Sequence, residues 1–274
     1  MYNALTIDVE DYYMVSAFSD IVTPDEWPQY ESRVVRNTNI LLDVLDTYDV
    51  KATFFVLGWV GEHHPGLVRD IHSAGHEVAC HGYNHRLIYH LTPDQFREDV
   101  RKAKGILEDI IGARVTGYRA ASYSIVKKTL WALDVLMDEG FLYDSSIFPI
   151  HHDRYGIPGS DRFPHCITRE GGTLWEFPPS TYRVLHQNIP IAGGGYLRLF
   201  PLRMTRAAMN KINEQEKKPV IVYLHPWEID VAQPRLNGRW LSRARHYVNL
   251  RSTLPKLQAF LSEFKFERLS RFIQ

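Results

Sequence analysis

Strands and helices alternate along most of this chain, and several strands end in residues that can carry charge. Short runs rich in β-branched and aromatic residues are each followed by a stretch with helical periodicity. This alternation predicts a parallel sheet, either open or closed into a barrel. Because a parallel barrel gathers all strand C-termini at one face, we expect polar residues at the ends of separate strands to meet there.

The strands and helices of the alternating pattern lie between residues 4 and 224. The predicted strands are 4–7, 51–57, 76–80, 115–118, 141–143, 174–177 and 220–224. The predicted helices are 37–48, 65–74, 92–111, 127–139 and 205–215. Thr92 with Gln95 three residues later is typical of a capping box at a helix start. Residues 151–195 read as loops with short strands, and 240–274 as a closing helix and strand.

Composition narrows the class of protein. The chain has 274 residues, of which 45% are hydrophobic and 23% charged, which is typical of a globular protein with a core. Thirty-two Lys+Arg balance thirty-two Asp+Glu, so we expect neither a nucleic acid nor an anionic membrane as partner. Two cysteines are too few for a disulfide framework, and the apolar run 53–60 is too short for a membrane span. With no signal-peptide pattern, these features predict a cytoplasmic protein.

Two histidines and an acidic run form a candidate metal site. His81 and His85 lie four residues apart after a predicted strand, and Asp8, Glu10 and Asp11 follow the first strand. Two imidazoles and one carboxylate are a common catalytic metal set. Strand alternation places Asp8 and Glu10 on one face, so Glu10 is the better ligand, with Asp11 as the competitor.

Three further residues complete a candidate for proton transfer. Asp8 would be free to take a proton, and Arg119 at another strand end could keep it ionised and oriented. His225, after the last clear strand, is a candidate general acid. Each residue alone has an ordinary structural interpretation, and the prediction depends on their convergence.

The four motifs, in this order, resemble those of the polysaccharide deacetylases of the NodB-homology type, carbohydrate esterase family 4. They are Ile7 to Asp11, His81 to His85, Tyr118 to Tyr123, and Leu224-His225. The resemblance covers nearly the whole chain. It implies an α/β fold, a distorted (β/α)7-type barrel with a C-terminal extension. It is closest to the branch associated with exosortase (PEP-CTERM) loci, on the stretches 51–55, 223–230 and 245–250.

The resemblance also implies roles for these residues. Asp8 matches the catalytic base, Arg119 the residue that tunes it, and His225 the general acid. Glu10, His81 and His85 match the metal ligands, and Asp11 competes with Glu10. The ion would be zinc, with cobalt, manganese or nickel as alternatives. A backbone amide at Ser122 or Tyr123 would stabilise the oxyanion.

The implied activity is removal of N-acetyl groups from an amino sugar of an exopolysaccharide or its precursor. Aromatic residues that flank the candidate site could stack on sugar rings: Tyr83, Trp175, Tyr196 and Trp227. Together with Ser122 and Tyr123, they are the predicted substrate contacts. One domain over 1–274 is expected, with 226–274 as an extension packed on the barrel. The alternatives are a small-amide hydrolase, acting on a formyl-sugar or an allantoin-like ring, and a carbohydrate-binding pseudoenzyme.

Overall fold

The computed structural model describes residues 1–191 and 193–273. The strands are β1 Tyr2–Val9, β2 Thr53–Val56, β3 Glu77–Cys80, β4 Gly117–Tyr118, β5 Tyr143–Asp144, β6 His165–Arg169, β7 Gly172–Glu176, β8 Thr181–Val184, β9 Gln187–Pro190, β10 Ile221–Leu224 and β11 Lys265–Glu267. The α-helices are α1 Val34–Thr47, α2 Gly58–His63, α3 Pro65–Ser73, α4 Pro93–Ile111, α5 Trp131–Asp138, α6 Gly194–Leu199, α7 Leu202–Lys211, α8 Trp240–Tyr247 and α9 Thr253–Glu263.

Seven of these strands form a parallel sheet in the order β10-β1-β2-β3-β4-β5-β7. The two edges of this sheet meet through Ser180, beyond the end of β7. Its hydroxyl accepts the Ile221 N–H at 2.8 Å, and its own N–H donates to the Ile221 carbonyl at 3.3 Å. An irregular segment thus closes the curved sheet where regular pairing fails. This arrangement confirms the predicted α/β architecture, a distorted barrel with seven parallel strands.

The remaining strands decorate the barrel. β6 pairs antiparallel with β7, and β8 with β9 forms a separate hairpin, in the region predicted as loops with short strands. β11 pairs with β1 beside β10 and so attaches the C-terminal segment to the barrel. The predicted closing helix and strand are two helices, α8 and α9, and the strand β11.

The amino-terminal end of the barrel is sealed by the C-terminal segment. Leu269 is fully buried there, and its N–H donates to the Thr53 hydroxyl at 2.8 Å. The Ser270 N–H donates to Glu77 at 3.1 Å, and Tyr143 donates to the same carboxylate at 3.0 Å. Polar groups at this end therefore satisfy one another around an apolar plug.

Close packing explains one glycine inside the barrel. A Cβ at Gly117 would lie 2.0 Å from the Tyr143 ring, so only glycine leaves room for that ring. Because Tyr143 packs its ring against Phe55 and Phe177, the glycine permits the aromatic layer that fills the barrel.

Local signals placed most helices correctly. Thr92 and Gln95 form the predicted capping box, and Gly112 ends α4 in the left-handed conformation. The predicted helix 127–139 is a 3-10 turn followed by α5. The helix α2 was not predicted, because it starts at Gly58. A Cβ there would lie 2.9 Å from Ala103, so the glycine serves close packing on α4.

Within residues 1–191 and 193–273, no helix has both the length and the apolar character needed to cross a bilayer.

Candidate metal and catalytic site

Glu10, His81 and His85 meet at the carboxyl end of the barrel. Each side chain offers one ligand atom, and these atoms lie within 4.8 Å of one another. Glu10 follows β1, and both histidines follow β3, which is two strands away in the sheet. Parallel pairing therefore brings together residues that are more than 70 positions apart in the chain, as the sequence predicted.

The protonation states of this cluster suit a cation. The Glu10 carboxylate is buried, which opposes its charged form, but the charge and close contact of His85, together with the charge of His225, outweigh burial and lower the pKa of Glu10 to about 2. Burial lowers the pKa of His81 to about 4, so this imidazole is neutral at pH 7. Its Nδ1 lies 2.8 Å from the Arg119 carbonyl, which leaves Nε2 for a ligand.

The loop between the two histidines is held by α4. The Tyr83 N–H donates to the Asp99 carboxylate at 2.9 Å. Gly82 (φ 75°) and His85 (φ 58°) both adopt the left-handed conformation, which is uncommon for a residue other than glycine. Backbone strain of this kind is concentrated at functional sites. Here the left-handed conformation of His85 directs its side chain towards Glu10, and His85 Nε2 lies 2.9 Å from Glu10 Oε2.

Asp11 lies outside the cluster. Its carboxylate accepts hydrogen bonds from the Arg33 and Val34 amides, at 2.7 and 3.0 Å, and from the Ser32 hydroxyl at 2.9 Å. These amides belong to the start of α1, where a negative charge is favourable. The alternative in which Asp11 replaces Glu10 as metal ligand therefore does not fit the structure.

Asp8 is held by a fully buried arginine. Arg119 donates to Asp8 Oδ1 at 2.6 Å and to the Thr6 hydroxyl at 2.8 Å. It also donates to the carbonyl and the hydroxyl of Ser145, at 3.1 and 2.7 Å, and its guanidinium lies over the Phe55 ring. Four hydrogen bonds fix the guanidinium in one orientation, so the charge beside Asp8 cannot move away.

His225 faces the carboxylates of Asp8 and Glu10. Its Nε2 lies 3.8 Å from Asp8 Oδ2 and 3.4 Å from Glu10 Oε1, and its Nδ1 lies 2.7 Å from Glu228. Burial opposes the imidazolium, but the hydrogen bond to Glu228 and the nearby carboxylate charges outweigh it and raise the pKa of His225 to about 9. His225 is therefore protonated at neutral pH.

A buried arginine links His225 to the C-terminal region. Arg198 donates to Glu228 at 2.7 Å and also to the carbonyls of Arg245, His246 and Val248. The sequence analysis missed both Glu228 and Arg198. Glu228, three residues after His225, lies within the stretch 223–230 that carries the resemblance, whereas no local pattern indicates Arg198.

Trp227 positions Glu10. Its indole N–H donates to Glu10 Oε1 at 3.3 Å, and its ring stacks on His246 at a centroid distance of 4.0 Å. The ring is buried, so it supports the carboxylate from behind. The structure thus places the predicted sugar contact Trp227 behind the cluster.

Two successive residues after Arg119 adopt the left-handed conformation. Ser122 has φ 49° and Tyr123 has φ 54°. The Tyr123 N–H donates to the Ala120 carbonyl at 3.0 Å, so the Ser122 amide is the better candidate for an oxyanion donor. The Ser122 hydroxyl contacts the hydroxyl of Ser16.

The other predicted aromatic contacts lie in different places. Tyr83 donates to Glu62 of α2 and lies under Lys102 of α4, so its ring packs on the helical layer. Trp175 packs beside Phe177 in the apolar cluster that contains Leu269. Neither placement supports a sugar contact, and both roles stay predictions.

Tyr196 remains a candidate contact. It lies on α6 with its ring half-buried and interacts with Tyr155, near the aromatic group of Tyr123 and Tyr223. The role of Tyr196 as a sugar contact stays a prediction.

A second buried carboxyl pair supports the site from below. Asp144 and Glu176 are register partners in β5 and β7 and are both fully buried. Burial raises the pKa of both carboxyls, so the pair retains a proton near neutral pH. The Ser146 hydroxyl donates to Asp144 and accepts the Ala120 N–H at 2.8 Å, and Glu176 accepts the Ile147 N–H. The pair thus fixes the backbone at Ala120, directly after Arg119, and at Ile147, two residues after the Ser145 that Arg119 contacts.

Comparison with known families agrees with this geometry. Residues 21–136 match the polysaccharide deacetylase family, and residues 145–274 match a domain of unknown function, DUF3473. The first match contains His81, His85 and Arg119, and the second contains His225. The predicted division into one domain with an extension over 226–274 stays a prediction.

Individual relatives share only part of their length with this chain. A peptidoglycan-N-acetylglucosamine deacetylase of Bacillus cereus is 32% identical over 114 residues, which is 41% of this chain and 40% of that protein. A chitooligosaccharide deacetylase of Bradyrhizobium is 32% identical over 151 residues, which is 55% of this chain and 64% of that protein. The chain therefore spans less than two thirds of the length of either relative.

Solved structures share the fold. A candidate polysaccharide deacetylase from Mycobacterium smegmatis superposes with a TM-score of 0.65 at 24% identity, covering 98% of this chain and 87% of that one. The fold, the family match and the Glu10, His81 and His85 cluster are consistent with one another. Residues 21–136 of this chain are therefore similar to the polysaccharide deacetylase family, and the C-terminal region that follows matches DUF3473.

Proposed function

We propose that this protein is a metal-dependent N-deacetylase that removes acetyl groups from amino-sugar residues of a polysaccharide or its precursor. The observation that carries the proposal is the cluster of Glu10, His81 and His85, which lies beside an oriented carboxylate, Asp8, and a protonated imidazole, His225. A pure binding protein needs no such proton-transfer pair. The sequence resemblance to exosortase-associated deacetylases suggests an exopolysaccharide as the substrate. A cytoplasmic location stays a prediction.

The residues present fit a divalent ion. Glu10 Oε2 is buried and lies 2.9 Å from His85 Nε2, another candidate ligand atom, without hydrogen-bond geometry. His81 is neutral, and its contact with the Arg119 carbonyl leaves Nε2 for a ligand. Two nitrogen ligands and one oxygen ligand match the donor set that zinc takes in hydrolases. A divalent ion held by these residues would polarise the acetyl carbonyl and acidify a water molecule.

Asp8 is suited to act as the base. Arg119 donates to its Oδ1 and orients the carboxylate, while its Oδ2 faces His225 across 3.8 Å. This second oxygen can accept the proton of the attacking water. The Ser122 amide would donate to the oxygen that becomes negative during attack on the acetyl group.

His225 is suited to act as the acid. When the carbon–nitrogen bond breaks, the sugar nitrogen needs a proton, and the imidazolium of His225 can give it. Glu228 holds Nδ1, so the proton on Nε2 faces the carboxylates of Asp8 and Glu10, where the substrate nitrogen would lie. Acetate and the free amine are then the products.

Metal content tests the proposal directly. The wild type, His85→Ala and the control His72→Ala would be purified without chelator or metal-affinity resin, supplied with zinc, and assayed by elemental analysis. His72 is exposed on α3, so its loss leaves the cluster intact. We expect about one ion per chain in the wild type and in His72→Ala, and little in His85→Ala.

A wild type that binds zinc should then release acetate from N-acetylglucosamine oligomers. Failure of the wild type to bind any divalent ion would contradict the mechanism and favour a carbohydrate-binding role without catalysis.

A further inference from the structure

A cavity of about 390 Å³ opens beside the candidate site, where the mechanism uses no residue. Its lining includes Tyr89, Lys128, Asp153, Arg154 and Tyr155. The volume is within the range of small-ligand sites in proteins. The chain around it comes from three segments, at residue 89, at residues 126–128 and at residues 152–156, so the cavity is built by tertiary packing.

Aromatic rings connect this cavity to the site. Tyr155 lines the cavity and contacts Tyr123 at a centroid distance of 5.9 Å. Tyr123 contacts Tyr223 at 5.1 Å, and Tyr223 contacts His225 at 5.9 Å. Tyr123 and Tyr223 are buried, so these three ring contacts place the cavity next to the packed aromatic group that supports the candidate acid.

The charge around the cavity is positive. Lys128 and Arg154 line it, and neither forms an ion pair within the described part of the chain. Asp153 is the acidic residue of the lining, and Arg245 lies 3.9 Å from it. Burial lowers the pKa of His152, so this residue adds no charge at neutral pH. Because the whole chain is formally neutral, this local excess of cations is a feature of the cavity.

The cavity also offers flat rings. His152 stacks on Tyr155 at 3.8 Å with an interplanar angle of 13°, which fixes the Tyr155 ring. The Lys128 ammonium lies 4.9 Å from the centre of the half-buried Tyr89 ring. Aromatic faces bind the apolar side of a sugar ring, and ammonium and guanidinium groups bind carboxylates and phosphates.

We propose that this cavity is a subsite for an anionic substituent of the saccharide, a carboxylate or a phosphate, near the N-acetylated residue that reacts. The inference rests on the proposed deacetylase function and adds the substrate class. Lys128 and Arg154 bind the anion, and Tyr89 and His152, which is stacked on Tyr155, contact the ring that carries it. A carboxylate would belong to a uronic acid in the polymer, and a phosphate to a sugar diphosphate precursor.

Equilibrium binding to three probes tests the subsite. The probes are an N-acetylheparosan tetrasaccharide, which carries glucuronate, the neutral and fully N-acetylated chitotetraose, and UDP-N-acetylglucosamine. We expect the wild type to prefer an anionic probe over chitotetraose. In Lys128→Met/Arg154→Met this preference should fall by roughly 10-fold, the effect of losing two exposed ion contacts. Added salt should weaken the binding of the anionic probes more than the binding of the neutral probe.

The control is Lys127→Met/Arg183→Met, which removes the same charge from two exposed residues outside the cavity lining and should keep the wild-type preference. Preference for the tetrasaccharide indicates a uronate, and preference for the nucleotide sugar a phosphate. Equal binding of charged and neutral probes by the wild type, or an unchanged preference in the double variant, would overturn the subsite.

Acetate release separates the two proposals. If the wild type binds zinc and deacetylates chitotetraose but shows no preference for charge, the subsite is wrong and the proposed function stands. If it releases no acetate from any probe, the proposed function fails, whatever the binding data show. Circular dichroism of each variant establishes that it is folded.

Discussion

The two ends of the barrel use buried polar groups in opposite ways. At the carboxyl end, Glu10 Oε2 is buried and lies 2.9 Å from His85 Nε2, in an ion-pair contact without hydrogen-bond geometry. At the amino end, the Glu77 carboxylate accepts from Thr53, Tyr143 and Ser270. Glu10 thus faces other candidate ligand atoms, whereas Glu77 is surrounded by hydrogen-bond donors. A buried carboxylate grouped with neutral imidazoles suits a cation, whereas one that is saturated by donors has a structural role.

The two ends of the barrel also differ in the number of charged side chains that they bury. The carboxyl end gathers Arg119, Asp8, Glu10 and His225 in one buried network. The amino end is filled by apolar residues around Leu269. We therefore expect substitutions at the carboxyl end to alter activity more than stability, and substitutions at the amino end to do the reverse.

The largest effect is expected for Asp8→Asn. The amide cannot accept the water proton, so kcat should fall roughly 10²- to 10⁴-fold. Zinc content should be unchanged, because Asp8 is not among the three ligand residues. Steady-state acetate release, with elemental analysis of the same preparation, measures both quantities.

Asp11→Asn is the matched control. Asp11 caps the start of α1 and contacts no residue of the cluster, so this variant should keep most of its activity and lose about 1–2 kcal/mol of stability. Full activity in Asp8→Asn, or a loss in Asp11→Asn as large as in Asp8→Asn, would contradict the assignment of the base.

The next effect concerns the amino end. Leu269→Ala removes a fully buried side chain from the plug and should lower the free energy of unfolding by about 2–5 kcal/mol. Urea denaturation measures this change, and zinc content should be unaffected. Leu199→Ala is the control, because Leu199 is 55% exposed and should cost less than about 0.5 kcal/mol. Loss of zinc in folded Leu269→Ala would show that the two ends are not independent.

The sequence predicted the fold well wherever a local signal exists. Thr92 with Gln95 and Gly112 mark the ends of α4, and β-branched and aromatic runs mark β1, β2 and β10. The barrel closure through Ser180 could not be predicted, because it depends on two edges that are about 40 residues apart. The helix α2 was missed because its first residue is a glycine that serves tertiary packing.

Within the site, topology predicted the meeting of strand ends, but not the direction of each side chain. Glu10 and Asp11 are neighbours in sequence, and only the amides at the start of α1 show that Asp11 caps a helix. Tyr83 and Trp175 were predicted as sugar contacts from proximity in sequence. Their side chains pack elsewhere, on α4 and beside Phe177, since burial against distant residues decides the orientation of aromatic rings.

A smaller effect is expected for Glu228→Gln. The folded pKa of His225, about 9, is above the unfolded value of about 6.5, so His225 stabilises the fold below pH 6.5 and this contribution is lost as pH rises through 9. Without the Glu228 charge, the pKa of His225 should fall by at least about one unit. Titration of the His225 ring protons by NMR, in metal-free protein, measures the midpoint.

Activity should follow this change. If His225 acts as the acid, the alkaline limb of the pH–rate profile should move to lower pH in Glu228→Gln. Asp230→Asn is the control, because Asp230 binds Arg33 and makes no ion pair with His225 among the described residues. An unchanged midpoint in Glu228→Gln would refute the role given to Glu228.

The smallest effect is expected for His76 at the amino end. Its contribution to stability is lost as pH falls, whereas that of His225 is lost as pH rises. His76 is 4% exposed, and its Nδ1 accepts the Ala52 N–H at 3.1 Å. Burial, with the charges of Lys51 and Arg268, lowers the pKa of His76 to about 4. Between pH 6.5 and 4, His76 is therefore protonated in the unfolded chain and neutral in the native fold. Stability attributable to His76 is present above pH 6.5 and should fall by about 2 kcal/mol between pH 7 and pH 5.

Urea denaturation at the two pH values measures this slope in the wild type and in His76→Gln, which cannot titrate in that range. The slope should be shallower in His76→Gln and unchanged in His72→Gln, since His72 is exposed on α3. Equal slopes in all three proteins would show that the buried His76 is not the acid-sensitive group. A buried imidazole at the sealed end thus makes the fold sensitive to acid, whereas the paired imidazole of His225 makes the open end sensitive to base.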